Sequence, residues 1–264
     1  MNTIYNHFRN LSCIYNELRT TDLEPIIFIR EKLQNRNNLK GADIGCGAGR
    51  YDLLLLKHLP DLHLICGDVN EAMIKETTCY LEEHGQKNFS ARCVDASDLQ
   101  LPQGALDFVS SFNAIHHFEP VRFLNQAREA LKVGGYVFVY TRLKSQNMRN
   151  IWGRFFPGFS KKEDRLYNLS QIEKWIDKVE SLTLEAIHFF KFERALPLKQ
   201  LLSQAEKKHY STFSLYTEGE FEKALKRFKQ EIKKNFEDIE RVQWSDENVM
   251  ILFIKKQTNL YKGN

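Results

Sequence analysis

Between residues 38 and 141 the hydrophobic rhythm of the chain changes repeatedly, and that alternation restricts the fold more than any other feature. Short apolar runs at 40–44 (KGADI), 62–67 (LHLICG), 89–94 (FSARCV), 106–112 (LDFVSSF) and 135–141 (GYVFVYT) read as strands. Between them stand RYDLLLLKHL, NEAMIKETTCYLEEHG and EPVRFLNQAREALK, whose apolar residues recur at helical spacing. Strands of this length joined by helical crossovers belong to βαβ units, which build a parallel sheet covered on both faces. The predicted fold class is therefore α/β, with a doubly wound, mostly parallel sheet.

The flanks differ. Residues 1–37 read as an N-terminal helical cap, in which LEPIIFIREKLQN carries the apolar face, Asp22 the N-cap and Pro25 the first turn. Residues 38–141 form the core. Residues 142–264 form a helical lobe together with the last strands of the sheet. In this third part 143–168 is basic, aromatic and irregular, a helix is predicted near 170–179, and a strand at 182–192. Helices follow at 196–209 and 217–235, the second opening on Thr217-Glu218-Gly219-Glu220, the pattern of a capping box. NVMILFIKK closes the sheet.

Composition removes several classes. With 42% hydrophobic and 27% charged residues, the chain is neither fibrous nor low in core-forming material. Its apolar runs, such as IIFI at 26–29 and VMILFI at 249–254, are too short to span a bilayer. MNTIYNHFRNLSC lacks the apolar core of a secretion leader, so a soluble, cytoplasmic chain without a membrane partner is expected. The cysteines Cys13, Cys46, Cys66, Cys79 and Cys93 are scattered, which fits reduced thiols and no metal site. A net charge of +4 permits an acidic substrate and does not demand nucleic acid.

The chemistry concentrates in LKGADIGCGAGR, residues 39–50. Gly45, Gly47 and Gly49 let the backbone approach a ligand, and the helix that follows offers free N–H groups. Asp43 ahead of them would repel a phosphate, and the lysine of a P-loop is absent. The glycine spacing G-x-G-x-G also departs from the G-x-G-x-x-G of nicotinamide dehydrogenases. Asp68 ends the second strand, where an acid can accept from both hydroxyls of a ribose. Asp95 follows the third strand. Any one of these acids reads as an ordinary turn or cap residue. Three of them at successive strand ends suit a nucleoside with a cationic tail.

ADIGCGAGR, GDVN, CVDASDLQLP, LDFVSSFNAIHHF and LKVGGYVFVY resemble, in order, the motifs of class I S-adenosylmethionine-dependent methyltransferases of the small-molecule, type 11-like group. The resemblance implies a seven-stranded sheet whose last strand is antiparallel and inserted between strands five and six. It implies S-adenosyl-L-methionine as cofactor. Gly45, Cys46, Gly47 and Gly49 would lie against its methionine part and Asp43 would orient its amino group. Asp68 would take the ribose hydroxyls and Val69 the adenine face. Asp95 would accept from the adenine amine, Ala96 would donate to the ring, and Asn113 would face the methionine carboxyl or the reacting methyl. Arg50 would hold the carboxylate or stand as a solvated helix residue.

The acceptor is less legible. His116 and His117 follow the fourth strand, where a histidine serves as a base or as a lining residue. Tyr5, Tyr15, Arg19 and Asp22 either line and close the acceptor pocket or belong to a capped helix with a solvated face. Arg142 and Trp152 lie in RLKSQNMRNIWGRFFPGF (142–159), which, like KKHYSTFSLY (207–216), could stack bases or cap a small substrate. SFNAIHHF lacks the Asn/Asp-Pro-Pro-aromatic motif of nucleic-acid adenine methylases. The expected activity is methyl transfer to O, N or C of a small molecule. The alternatives are an RNA methyltransferase, should the basic-aromatic stretches join in one surface, or a cofactor-binding protein without transfer activity. Oligomeric state does not follow from these features.

Overall fold

The computed structural model describes residues 20–257, so Tyr5, Tyr15 and Arg19 lie outside the described residues. The sheet begins with β1 (Lys40–Ile44), β2 (His63–Asp68), β3 (Phe89–Cys93), β4 (Leu106–Phe112) and β5 (Leu131–Thr141), and ends with β6 (Leu182–Leu196) and β7 (Val242–Lys255). Their order across the sheet is β3-β2-β1-β4-β5-β7-β6. β1 pairs in parallel with β2 on one side and β4 on the other, and β4 pairs in parallel with β5. β7 runs antiparallel to β5, with Tyr136 opposite Ile254 and Thr141 opposite Val249, and is inserted before β6. This is the doubly wound, seven-stranded order that the resemblance implies.

The helices that cover the sheet are α1 (Glu24–Leu33), α2 (Arg50–His58), α3 (Glu71–Glu83) and α4 (Pro120–Ala130). Each meets its apolar spacing: α1 buries Ile26, Ile29 and Leu33, and α4 buries Phe123, Leu124 and Ala127. Starts follow the caps. The Asn70 side chain accepts from the Ala72 amide at α3, and the Glu119 side chain accepts from Arg122 at α4. β4 is buried along its whole length and takes the centre, with the order of strands reversing between it and β1. In sheets of this kind the ligand crevice lies beyond the carboxyl ends of the strands at that reversal.

Three expectations are corrected. Asp22 does not cap α1, which starts after Leu23 without a side-chain cap; Asp22 is buried and accepts from the Tyr140 hydroxyl at 3.4 Å. α4 stops at Ala130, because Leu131 already pairs with Leu106 in β5. The stretch 143–168 is not irregular: it forms α5 (Lys144–Arg149), α6 (Ile151–Phe155) and α7 (Phe159–Lys162). Asn150 divides the first two by accepting from the Gly153 amide at 2.7 Å, and Pro157 with left-handed Gly158 divides the next two.

The described chain divides into two units. The larger comprises 21–141, 169–188 and 249–257, including α8 (Leu169–Ile176); the smaller comprises 142–168 and 189–248. The smaller unit carries α9 (Leu198–Glu206) and α10 (Glu218–Asn235), and Thr217 and Glu220 close the predicted capping box. Its core is aromatic. Trp152 stacks on Phe228 with ring centroids 5.0 Å apart and meets Phe213 edge-on at 5.3 Å. Phe156 and Phe159 join them, and α10 contributes Phe228 and Ile232 from its one apolar stripe.

Candidate functional site

In the larger unit β1 delivers Asp43 and then a turn built from glycines. Gly45, Gly47 and Gly49 all have positive φ, at 75°, 58° and 79°, a region closed to most side chains. The turn is held from several directions. The Gly45 and Cys46 amides donate to the Gly67 carbonyl at 2.7 and 3.1 Å, and the Thr77 hydroxyl of α3 donates to the Gly47 carbonyl at 2.6 Å. The Gly47 amide donates to Asp68 Oδ2 at 3.0 Å. A Cβ on Gly45 would fall 2.4 Å from that of Ala114 and 3.0 Å from the Phe118 ring, so the turn packs against the loop after β4. α2 starts directly behind Gly49.

The acids at the strand ends differ in environment. Asp43 is 1% exposed; its Oδ1 accepts from the Ser110 hydroxyl at 2.7 Å, while Oδ2 is buried without a hydrogen-bond partner among the described residues. Burial, followed by the neighbouring Asp52 charge, pushes the Asp43 carboxyl well above the usual carboxylate range. Asp68 is half-buried. Its two oxygens accept from the Gly47 and Asn70 amides, and burial still raises it. Asp95 is exposed, two residues beyond the end of β3, and its Oδ1 accepts from both the amide and the hydroxyl of Ser97 at 2.7 Å, which lowers its carboxyl.

The remaining predicted residues separate. Val69 follows Asp68 with 56% of its surface exposed, an apolar side chain left open at the rim. Ala96 lies in the turn that Asp95 closes. Asn113 adopts left-handed φ of 56° at the end of β4, its amide donating to Tyr140 O at 2.7 Å. His116 and His117 follow on a 3₁₀ turn (Ile115–His117), with ring centroids 4.1 Å apart and His117 the more exposed. Arg50 donates to the Thr21 hydroxyl at 2.7 Å. In the smaller unit Arg142 pairs with Asp246 at 2.9 Å. Trp152, a predicted substrate-side residue, is only 3% exposed and is core: with Phe156 and Phe159, from two short helices divided at Pro157 and Gly158, it packs into the aromatic cluster around Phe213 and Phe228.

Two residues went unnoticed in the sequence. Ser110 has a signal, a hydroxyl inside an apolar strand, and it orients Asp43. Asp52 has none, because a polar residue in the first turn of a helix reads as solvated. In the structure Asp52 is 0% exposed.

The set fits the cofactor that the resemblance implies. A carboxylate offers about four acceptor positions, so Asp68 retains two for a pair of hydroxyls after serving two amides. The unpartnered Asp43 Oδ2 suits an ammonium. The left-handed glycines leave no Cβ between backbone and ligand, and Val69 presents an apolar face. Among the described residues no helix is long and apolar enough to cross a membrane, and no cluster of His, Cys, Asp or Glu is arranged to hold a metal ion.

Comparison with known proteins agrees with this geometry. Residues 42–135 match the model of a methyltransferase domain. A ribosomal RNA small subunit methyltransferase C of Shewanella loihica is 29% identical over 134 residues, 48% of this chain and 37% of that enzyme. The match thus spans little more than a third of that relative. Among solved structures, a provisionally assigned methyltransferase of an antibiotic-biosynthesis pathway from Anabaena variabilis shares the fold with a TM-score of 0.67 at 19% identity, over 89% of this chain and 98% of that one. The phosphoethanolamine N-methyltransferase 2 of Haemonchus contortus, solved with phosphomonomethylethanolamine and S-adenosylhomocysteine, gives 0.55 at 15% identity, over 89% and 52%.

Proposed function

Because the chain carries a class I methyltransferase domain, whose methyl donor is S-adenosylmethionine, we propose that it methylates a small-molecule acceptor. The observation that carries the reading is the joint placement of Asp43, the left-handed glycine turn and Asp68 at the switch point of the sheet. When bound, the cofactor supplies an electrophilic methyl group on a sulfonium. The protein's part is to place and shield the reactants. Asp68 takes the ribose and Val69 the adenine, with Asp95 and Ala96 at its polar edge. Asp43 draws the ammonium. Gly45 to Gly49 and Asn113 bracket the methionine part. An acceptor that must lose a proton would give it to His117 or His116, the titratable groups on the turn after β4.

The preference for a small acceptor rests on the smaller unit. The base-stacking surface that these aromatic stretches could form needs rings open to solvent, whereas Trp152, Phe156, Phe159 and Phe213 are all buried in its core. The ribosomal RNA relative favours RNA as the second reading. Cofactor carrying a tritiated methyl group, incubated with fractionated cell extract, separates the two. Label in the small-molecule fraction supports the proposal, label in RNA replaces it, and no transfer with intact binding leaves a cofactor-binding protein. Asp68→Ala should weaken cofactor binding on the order of a hundredfold and lower labelling with it; unchanged binding would remove Asp68 from the site.

A further inference from the structure

One cavity of the smaller unit gathers more cations than acids. Its volume is about 770 Å³, the size of a small-molecule site, and every residue that lines it belongs to that unit. Arg149, Arg154 and Lys191 border it, against a single acid, Glu247. Glu247 is already engaged by Arg149, and the next acid along β7, Asp246, pairs with Arg142 at 2.9 Å and lies 4.0 Å from Arg194. Arg154 has no carboxylate partner among the described residues; its guanidinium stands 5.1 Å from the centroid of the Phe155 ring. Lys191 pairs with Glu193 at 3.6 Å, with both side chains well exposed, an arrangement that water weakens.

The rest of the wall is largely apolar. Phe155 and Phe236, both half-buried, meet edge-on with ring centroids 5.5 Å apart, and the half-buried Trp244 joins them from β7. Met148, in the same wall, is 61% exposed. The buried Ser245 hydroxyl beside them has no hydrogen-bond partner among the described residues, a polar group left over after the protein's own bonds are made. Cations that serve the fold are met by acids, as Arg142 and Arg165 are. Cations beside partly open rings suit a ligand that brings its own negative charge on a flat apolar body. We propose that the smaller unit holds a ligand site of its own, for an aromatic anion: a ring system carrying an acidic group such as a carboxylate. The ring system packs against Phe155, Phe236 and Trp244, and the acidic group faces Arg154 and Lys191. A molecule of net positive charge, as S-adenosylmethionine is, would be disfavoured there. The site stands whether or not the larger unit transfers methyl groups.

Two fluorescent probes test the assignment. Anilinonaphthalene sulfonate and phenylnaphthylamine share their rings, differ in the sulfonate alone, and brighten on leaving water. With excess S-adenosylhomocysteine present to fill the cofactor site, the sulfonate should bind the full chain at one site, weaken as salt is added, and be displaced by naphthoate. Arg154 and Lys191 are exposed, so Arg154→Gln combined with Lys191→Gln should leave the melting temperature unmoved. That double variant should weaken the sulfonate on the order of tenfold and leave the neutral probe unchanged. An equal loss for both probes, an unchanged sulfonate affinity, failure of naphthoate to compete, or no binding at all overturns the proposal. Should the double variant unfold, the unaltered protein decides alone: a sulfonate affinity that matches the neutral probe's and ignores salt is the negative result.

Discussion

The acids around the glycine turn of the larger unit are kept differently from the buried glutamate of the smaller one, and from Asp107 of the larger unit, which Lys132 meets at 2.8 Å. In the smaller, Glu163 is buried and its carboxylate is met by the Arg165 guanidinium through two hydrogen bonds, at 2.7 and 2.5 Å, and by the Thr212 hydroxyl. Around the glycine turn, burial raises all three of Asp43, Asp52 and Asp68, Asp52 and Asp68 raise Asp43 further and Asp68 raises Asp52, while backbone amides, one serine hydroxyl and a thiol, and no cation among the described residues, ease them. A buried acid closed on its own guanidinium belongs to the structure. Buried acids that lack a cation are stable only as neutral groups or beside a positively charged ligand. The contrast is a physical reason, independent of any likeness, for placing the ligand site in the larger unit.

Removing a ring from the smaller unit should have the largest effect. Trp152→Ala is expected to lower the free energy of unfolding by about 3–5 kcal/mol in urea titration, with cofactor affinity unchanged. A loss of affinity without a loss of stability would return Trp152 to the substrate side. Glu163→Gln should cost about 3 kcal/mol, because it leaves Arg165 charged and less well met; a neutral result would mean that water reaches the pair. Asp68→Ala should behave in the reverse sense, weakening cofactor binding on the order of a hundredfold, as expected when charge-assisted hydrogen bonds are removed, while stability changes little. A comparable loss of stability would show that the Gly47–Asp68 bond holds the fold as well as the ligand.

Smaller effects sharpen the comparison. Asp52 is raised in the folded state from the ordinary carboxylate value to about 7. Its contribution to stability is therefore fully present below about pH 4 and is lost as pH rises toward 7. Asn mimics the protonated form at every pH. The melting temperature of Asp52→Asn, minus that of the unaltered protein, should grow by several degrees between pH 5 and pH 7.5, at roughly 2–4 °C per kcal/mol. A constant difference would show that Asp52 does not titrate. Smallest is Thr217→Ala at the start of α10, about 1 kcal/mol by chemical denaturation. A larger loss would mean that Thr217 supports more than its helix.

Much of this was legible because it is local. The change between two-residue and helical periodicity marked β1 to β5 and the helices between them, since a strand or a helix shows its buried side in its own spacing. The glycine turn was legible for a similar reason: three glycines at alternate positions announce backbone conformations that other residues resist. Caps written in side chains, as at Thr217, were found, whereas Asp22, which cap chemistry suggested, left its helix to meet Tyr140 on a strand 118 residues away.

The sequence alone thus determined the order of the elements, the kind of sheet and the residues of the glycine turn, because periodicity and conformational preference act over a few residues. Only the tertiary structure decided that the aromatic run at 152–159 is core and that Asp52 is sealed from water among other acids. The reason is solvation: whether a ring or a carboxyl meets water depends on which distant segments cover it. The same letters in the first turn of a helix describe a solvated anion or a buried acid, and packing makes the choice.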